Sequence, residues 1–202
     1  MPRSDAAFQQ IRTERRGQIL AAAARVFARK GLGDTTIADL AAAAGVSHGL
    51  IYRHFASKDE VFATLVEEAL ANAALLVRAA VERPGTPWDR LHWITAMMAP
   101  GPPPAPRSDY ALVVIHALTN EDVPAPVRER VMRQGQMIRA AVRRLVIDGQ
   151  AAGQVVAADP DRLTALYLAC IQGLVLRPAL ADETPDAFPD IETILLILRA
   201  DR

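Results

Sequence analysis

Residues 35–62 read TTIADLAAAAGVSHGLIYRHFASKDEVF, and this stretch decides the fold of the first third of the chain. Thr36 and Asp39 are spaced as a capping box, in which each side chain accepts a hydrogen bond from the backbone of the other at a helix start. Gly45 suits the left-handed residue that ends a helix, and Ser47 suits the cap of the next one. The stretch therefore predicts two short helices joined by a tight turn, a helix-turn-helix.

Helical patterns continue on both sides of this stretch. Upstream, apolar residues recur at helical spacing over about 8–30, and Gly31 follows as a candidate cap. Downstream, a second capping box from Ser57 to Glu60 predicts a long helix that ends near Arg83. A three-helix domain followed by a connecting helix is expected.

Proline residues divide the remainder of the chain into further helices. Strand signals such as hairpin dipeptides are nearly missing, and no repeat of fixed period is present. Residues 99–109 contain five prolines and are predicted to form a stiff, extended connector. The predicted fold is all-α with about nine helices, the later ones over about 88–98, 110–118, 127–150, 162–177 and 188–199.

The composition excludes several classes of protein. Of the 202 residues, 51% are apolar, which is enough for a buried core and unlike a disordered chain. The single cysteine, Cys170, excludes an internal disulfide framework and a Cys-based zinc finger. The most apolar stretch, 163–176, is shorter than the roughly 20 residues of a membrane span, and the amino terminus lacks the apolar region of a signal peptide. We therefore expect a cytoplasmic protein with no membrane partner.

The formal net charge of zero conceals an uneven distribution of charge. Residues 1–60 carry nine basic and six acidic side chains, whereas residues 61–202 carry 14 basic and 17 acidic side chains. A basic segment joined to an acidic one is typical of a protein that meets a polyanion at one end. Ordinary fluctuation of charge along the chain is the alternative explanation.

Residues 12–62 closely resemble the DNA-binding domain of TetR-type transcriptional repressors. The resemblance is carried by Thr35-Thr36, Asp39-Leu40-Ala41, Gly45-Val46-Ser47 and above all Tyr52-Arg53-His54-Phe55 followed by Ser57-Lys58, with Phe27 and Gly31 upstream. It implies that the second helix of the helix-turn-helix enters the major groove of DNA. It also implies three regions: a DNA-binding domain over 1–60, a connecting helix over 61–84, and a ligand-binding and dimerisation domain over 85–202.

The resemblance and the side-chain chemistry together predict a set of DNA-contacting residues. In the leading turn of the recognition helix, His48 can read a purine edge, Gly49 allows close approach, and Leu50 can meet a thymine methyl group. Tyr52 and Lys58 suit phosphate groups, and His54 matches a phosphate-contacting position of the family. The full predicted set is Thr36, Ser47, His48, Gly49, Leu50, Tyr52, His54 and Lys58.

Two positions depart from the family pattern. Leu50 stands where a hydroxyl side chain is common, and Ala38 stands where arginine is common. The hydrogen bonds of those usual side chains are not expected here. The core between the helices is predicted to contain Leu40, Val46, Ile51 and Phe55.

The apolar helix near residues 163–176 has no polar face, so both of its sides need to be buried. Small residues four apart permit the close approach of a second helix, and a symmetric dimer would cover the second side. The predicted interface comprises Leu166, Ala169, Gly173, Ile194, Leu195 and Leu198. An internal core helix of a monomer is the alternative.

Large and adaptable side chains are concentrated in the central helices, which suits a pocket for an apolar small-molecule effector. The predicted pocket residues are Trp93, Met97, His116 and Met137, although such side chains also fill ordinary cores. The sequence contains no metal-ligand spacing, phosphate-binding loop or nucleophile elbow. We therefore expect no cofactor, no metal and no enzymatic activity.

These observations predict a ligand-responsive repressor that binds a palindromic operator in double-stranded DNA as a homodimer. A transcriptional activator and a ligand-independent regulator are the alternatives within the same fold. A helical small-molecule carrier or enzyme with a vestigial helix-turn-helix is the alternative from a different class. A mobility shift on DNA from the protein's own upstream region distinguishes the two classes.

Overall fold

The computed structural model describes residues 3–99, 107–180 and 189–200, which form helices, turns and one isolated bridge between Val155 and Arg199. The predicted all-α fold of about nine helices is confirmed over these ranges. Most of the predicted proline-rich connector lies outside them. The helices are α1 (Arg3–Lys30), α2 (Ile37–Ala44), α3 (His48–His54), α4 (Lys58–Glu82), α5 (Pro87–Met98), α6 (Arg107–Thr119), α7 (Ala125–Ala151), α8 (Pro160–Leu180) and α9 (Ile191–Leu195).

The short helices α2 and α3 begin and end where the sequence indicates. The Thr36 hydroxyl oxygen accepts from the Asp39 N–H at 3.1 Å, and the Asp39 carboxylate accepts from the Thr36 N–H at 3.0 Å, which completes the capping box. Gly45 ends α2 in the left-handed conformation, with a φ of 64°. The Ser47 hydroxyl oxygen then caps α3 by accepting from the Leu50 N–H at 3.3 Å. These local bonds form the predicted helix-turn-helix.

The start of α4 differs in one detail from the prediction. The Ser57 hydroxyl oxygen accepts from the Glu60 N–H at 3.2 Å, as a capping box requires. The Glu60 carboxylate, however, accepts from the N–H of Ala56 and not from that of Ser57. Only one half of the predicted box is formed, and α4 begins at Lys58.

The chain packs as two compact units. The first combines Met1–Ala69 with Asp109–Glu129, and the second combines Leu70–Ser108 with Arg130–Arg202. The segment Asp109–Glu129, which we predicted within the C-terminal domain, therefore packs with the N-terminal helices. The first unit is built from two separate parts of the sequence.

The core of the first unit is formed by α1, α2, α3, α4 and α6. The rings of Phe27 and Phe62 meet edge to face, with 5.2 Å between their centroids. Of the four residues predicted to lie between the short helices, Val46 is only partly buried and the other three are buried. Helix α6 joins this core through His116, whose Nε2 lies 3.2 Å from the carbonyl oxygen of Ala28.

The second unit has its own core, in which Tyr167 of α8 is fully buried. The Thr95 hydroxyl donates to the carbonyl oxygen of Leu91 at 2.6 Å, so the Tyr167 hydroxyl 2.9 Å away is the donor in the bond between the two side chains. Burial raises the pKa of Tyr167 to about 12. The buried phenol therefore stays neutral and ties α8 to α5.

The C-terminal tail corrects part of the predicted dimer interface. Helix α9 spans only five residues, and the segment after it pairs with the loop before α8 through a 2.9 Å bond from the Val156 N–H to the Leu198 carbonyl oxygen. Ile194, Leu195 and Leu198 are 3%, 0% and 0% exposed within the core of the second unit. Because this chain already covers them, these three residues are not available to a second subunit.

Helix α8 is longer than predicted, since it continues past Pro178 to Leu180. A proline in the last turn removes one hydrogen bond but does not prevent the turn from forming. None of the helices in the described ranges is long and apolar enough to cross a membrane.

Candidate nucleic-acid interface

Helix α3 is anchored by one buried side chain and presents most of its remaining surface. Ile51 is fully buried, whereas His48 and Gly49 are exposed and Tyr52 is 57% exposed. A Cβ atom placed on Gly49 would have no neighbour within 4 Å. The leading turn of α3 is therefore exposed on the surface of the first unit.

Thr36 is engaged by the cap of its own helix. Its hydroxyl donates to a carboxylate oxygen of Asp39 at 2.9 Å while it accepts from the Asp39 backbone. Lys30 donates to the other carboxylate oxygen at 2.8 Å, and this bond is the largest cause that lowers the pKa of Asp39 to about 2. The single hydroxyl hydrogen of Thr36 is thus already used, and capping is the role that the structure gives it.

Lys58 has a different role from the one predicted. Its Nζ atom lies 2.9 Å from each of three carbonyl oxygens, those of Leu32, Gly33 and Thr35. An ammonium group has three N–H donors, so all of them are used. This corrects the prediction that Lys58 donates to a DNA phosphate, because the side chain instead ties the start of α4 to the segment between α1 and α2.

His54 lies at the end of α3 in a positively charged environment. Burial, followed by the charges of Arg12, Arg53 and Arg16, lowers the pKa of His54 below its usual 6.5. The imidazole is therefore mostly neutral at pH 7. An anion placed beside these groups would reverse the effect of their charges.

A cavity of about 560 Å³ opens between the first turns of α1 and the outer flank of α3. We call it the α1–α3 groove, and it is lined by Phe8, Gln9, Ile11, Arg12, Arg15, Leu50, Arg53 and His54. Leu50 and His54 were predicted to contact DNA, and the structure places them together here. The arginines were not predicted as site residues, although they contribute to the positive charge of residues 1–60.

The four residues predicted to form an effector pocket are divided between the two units. His116 belongs to the first unit and bonds the backbone of α1. Trp93, in the second unit, packs under the guanidinium group of Arg83, with 5.4 Å between that group and the ring centroid. Met97 is partly buried in the same unit, and Met137 is 61% exposed. The effector pocket therefore stays a prediction.

The remaining predicted interface residues share one exposed face of α8. Leu166 is 52% exposed, and Ala169 and Gly173 are also exposed at the next turns. A Cβ atom placed on Gly173 would meet nothing within 4 Å. Half of the predicted interface is therefore an apolar surface that the described residues leave uncovered.

Titratable side chains are dispersed over the described parts of the chain. No three His, Cys, Asp or Glu residues among them are grouped closely enough to hold a metal ion. Cys170 is a free thiol on α8 and is partly buried.

Residues 19–65 match the family described as bacterial regulatory proteins of the tetR family. The HTH-type transcriptional regulator BetI of Brucella canis is 27% identical over 175 residues, which is 86% of this chain and 84% of that protein. The HTH-type transcriptional repressor KstR2 of Mycobacterium tuberculosis is 40% identical over 77 residues, 38% of each chain.

Two solved structures extend the similarity to nearly the whole fold. The ketosteroid transcriptional regulator KstR2 of Mycobacterium tuberculosis has a TM-score of 0.72 at 21% identity, covering 93% of this chain and 96% of that one. A regulator from Saccharomonospora viridis, solved in complex with choline, has a TM-score of 0.70 at 21% identity, covering 90% of this chain and 92% of that one. At 21% identity, both similarities show the fold alone.

Proposed function

Because the chain belongs to the TetR family of bacterial transcriptional regulators, we propose that it is a repressor that binds a palindromic operator as a homodimer and leaves it when a small molecule binds. The family consists of regulators and not of enzymes. The observation that carries the proposal is the exposed leading turn of α3, which Ile51 anchors from behind. This helix is the part of the chain that would enter the major groove of operator DNA.

The exposed residues of α3 would contact different parts of the DNA. His48 would hydrogen bond a base edge, and Gly49 would let the backbone approach the bases. Tyr52, which is 57% exposed, would donate its hydroxyl hydrogen to a phosphate oxygen. The helix N-terminus adds partial positive charge, which favours the polyanion.

A symmetric dimer would bring two such helices to one operator. The recognition helices need to lie about 34–36 Å apart, or a multiple of that, to reach major grooves on one side of DNA. The uncovered face of α8 at Leu166, Ala169 and Gly173 is apolar and includes small residues, which suits contact with the same face of a second copy. Two copies of α8 are therefore the proposed centre of the dimer.

The second unit is the proposed place for the effector. The choline complex of the Saccharomonospora viridis regulator supports a small-molecule effector for the present chain as well. The proposed effector is an apolar small molecule, with Trp93 and Met97 near its site. Helix α4, about 37 Å long, would transmit the change, because Lys58 ties its first turn to the segment before α2.

A small molecule can release DNA only through its different affinity for two forms of the protein. If it binds better when the recognition helices are wrongly spaced, it shifts the population away from DNA. Operator DNA then weakens the binding of the small molecule by the same factor. Equal affinities for the small molecule with and without operator DNA would contradict this coupling.

The first experiment is a mobility shift of the purified protein on a duplex from the region upstream of its own coding sequence. We expect the protein to shift this duplex, and an unrelated duplex added at equal concentration should not compete the shift away. Absence of any shift would favour a helical carrier with a vestigial helix-turn-helix. The proposed partner is chromosomal DNA, so we expect the protein to act in the cytoplasm.

A further inference from the structure

The α1–α3 groove combines positive charge with apolar walls. Three arginines and one histidine line it, and no carboxylate does. Phe8 and Ile11, which are 72% and 56% exposed, form its apolar side. A ligand that fits this lining is an anion attached to a carbon framework.

Two of the arginines have no partner among the described residues. Arg12 and Arg53 are exposed and make no hydrogen bond or ion pair within the described parts of the chain. Arg16 on the same helix is different, because its guanidinium pairs with Glu68 at 3.4 Å and lies 5.0 Å from the ring centroid of Phe55. Arg16 is thus neutralised by Glu68, whereas Arg12, one turn earlier on α1, is available to a ligand.

We infer that the α1–α3 groove holds a phosphate group of the DNA backbone beside the operator half-site, with Arg12 and Arg53 donating to its oxygens. The inference rests on the proposed function. Guanidinium groups suit this role because their fork of N–H donors matches the oxygen atoms of a phosphate. Phe8 and Ile11 would lie against the carbon atoms of the adjoining deoxyribose.

The position of the groove extends the contact with DNA beyond the helix-turn-helix. Arg53 stands one turn beyond the base-reading residues of α3, so the phosphate it holds would belong to the wall of the major groove. Arg12 lies before residue 19, where the match to the family begins. The first turns of α1 would therefore add a contact from outside the matched segment.

The test compares Arg12→Gln, Arg53→Gln and the double variant with the wild-type protein. Fluorescence anisotropy measures binding to a duplex from the upstream region and to a random-sequence duplex of equal length, between roughly 50 and 200 mM salt. Each phosphate contact contributes about −0.9 to the slope of log K against log salt. The double variant should make the slope shallower by at least about 1.8 in a dimer, and to the same extent on both duplexes.

Arg78→Gln serves as the matched control. It removes the same charge from an exposed arginine of the second unit, which pairs with Glu82 at 2.8 Å, and should leave the slope unchanged. The variants of the groove should unfold at the wild-type temperature, because neither side chain makes a bond that folding needs. Arg12→Glu, which reverses the charge, should lower the affinity more than Arg12→Gln.

The outcomes separate this inference from the proposed function. If the wild-type protein binds both duplexes and the double variant keeps the wild-type slope, the groove does not hold a phosphate. That result would also follow if the groove held an apolar small molecule instead. If the wild-type protein binds neither duplex, the proposed function fails and the inference fails with it.

Discussion

The ammonium nitrogen of Lys58 lies 2.9 Å from the carbonyl oxygen of Thr35, which is 23 residues earlier in the chain. The same nitrogen bonds the carbonyl oxygens of Leu32 and Gly33 at the same distance. One side chain therefore holds the first turn of α4 against the segment that leads into α2. A movement of α4 would reach the helix-turn-helix through this contact.

Lys58→Met should destabilise the first unit. The variant keeps most of the aliphatic stem but leaves three carbonyl groups without their charged donor, and each hydrogen bond to a charged group contributes about 1.5–3 kcal/mol. We expect the free energy of unfolding to fall by about 2–3 kcal/mol in urea denaturation, since the site is only partly buried. Lys30→Met, which breaks an exposed pair with Asp39, should cost much less. An unchanged stability in Lys58→Met would remove the structural role assigned to this lysine.

His48→Ala and Tyr52→Phe should affect DNA binding in different ways. Loss of a base contact costs about 1–3 kcal/mol of discrimination, so His48→Ala should reduce the ratio of affinities for operator and unrelated DNA. Tyr52→Phe removes a phosphate donor and should weaken binding to both duplexes equally. Dissociation constants at one fixed salt concentration test both expectations. If Tyr52→Phe changed the ratio of affinities and His48→Ala weakened binding to both duplexes equally, Tyr52 would be the base contact and His48 the phosphate contact.

The capping box of α2 should make stability depend on acidic pH. The pKa of Asp39 is lowered from 3.8 to about 2, first by the hydrogen bond from Lys30 and then by those from Thr36. Its contribution to stability is therefore complete above pH 3.8 and is lost as the pH falls toward 2. We expect the melting temperature of Asp39→Asn to vary less over this interval than that of the wild-type protein. Asp34→Asn, a nearby exposed carboxylate without a hydrogen bond in the described ranges, should keep the wild-type profile.

Leu166 and Leu195 should respond differently to substitution, because one is 52% exposed and the other is fully buried. Leu166→Glu places a charge on the proposed α8 interface, so light scattering should report a mass near 21.9 kDa where the wild-type protein gives twice that mass. A melting temperature measured on the Leu166→Glu monomer should show that the chain is still folded. Leu195→Ala should instead lower the free energy of unfolding by about 2–5 kcal/mol. A dimer that survives Leu166→Glu would place the interface elsewhere.

DNA affinity should increase as the pH falls below 7. Burial and three arginine charges lower the pKa of His54 in the free protein, whereas a phosphate in the α1–α3 groove would favour the protonated form. Binding would then take up a proton at each His54, and the affinity would rise until the free protein is itself protonated. His54→Gln should flatten this dependence between about pH 7 and 5.5. A wild-type affinity independent of pH would argue against a phosphate beside His54.

Bonds between residues close in sequence were predictable. Thr36 and Asp39 are three residues apart, as are Ser47 and Leu50, and the side-chain oxygen at a helix start accepts from a backbone N–H two or three residues later. The left-handed turn at Gly45 follows from the same local chemistry. The helix-turn-helix could therefore be predicted from residue types and their spacing.

Contacts between distant residues were not predictable in the same way. The partners of Lys58 lie 23 to 26 residues away, and an exposed lysine and a bonded one look identical in a sequence. Leu195 is apolar whether it faces a second subunit or its own core. In the sequence, the arginines of the α1–α3 groove contributed only to a surplus of positive charge. The spacing of residues along one helix does not show which other helix packs against it.

The discontinuous first unit sets a condition for building hybrid regulators from this chain. A graft of residues 3–69 alone would leave behind Val113, Ala117 and Val123, which are buried in the complete unit. It would also lose the contact between His116 and Ala28 at the end of α1. The unit that can be exchanged therefore consists of two segments. A hybrid that joins this DNA-binding unit to another ligand-binding domain needs to include residues 109–129.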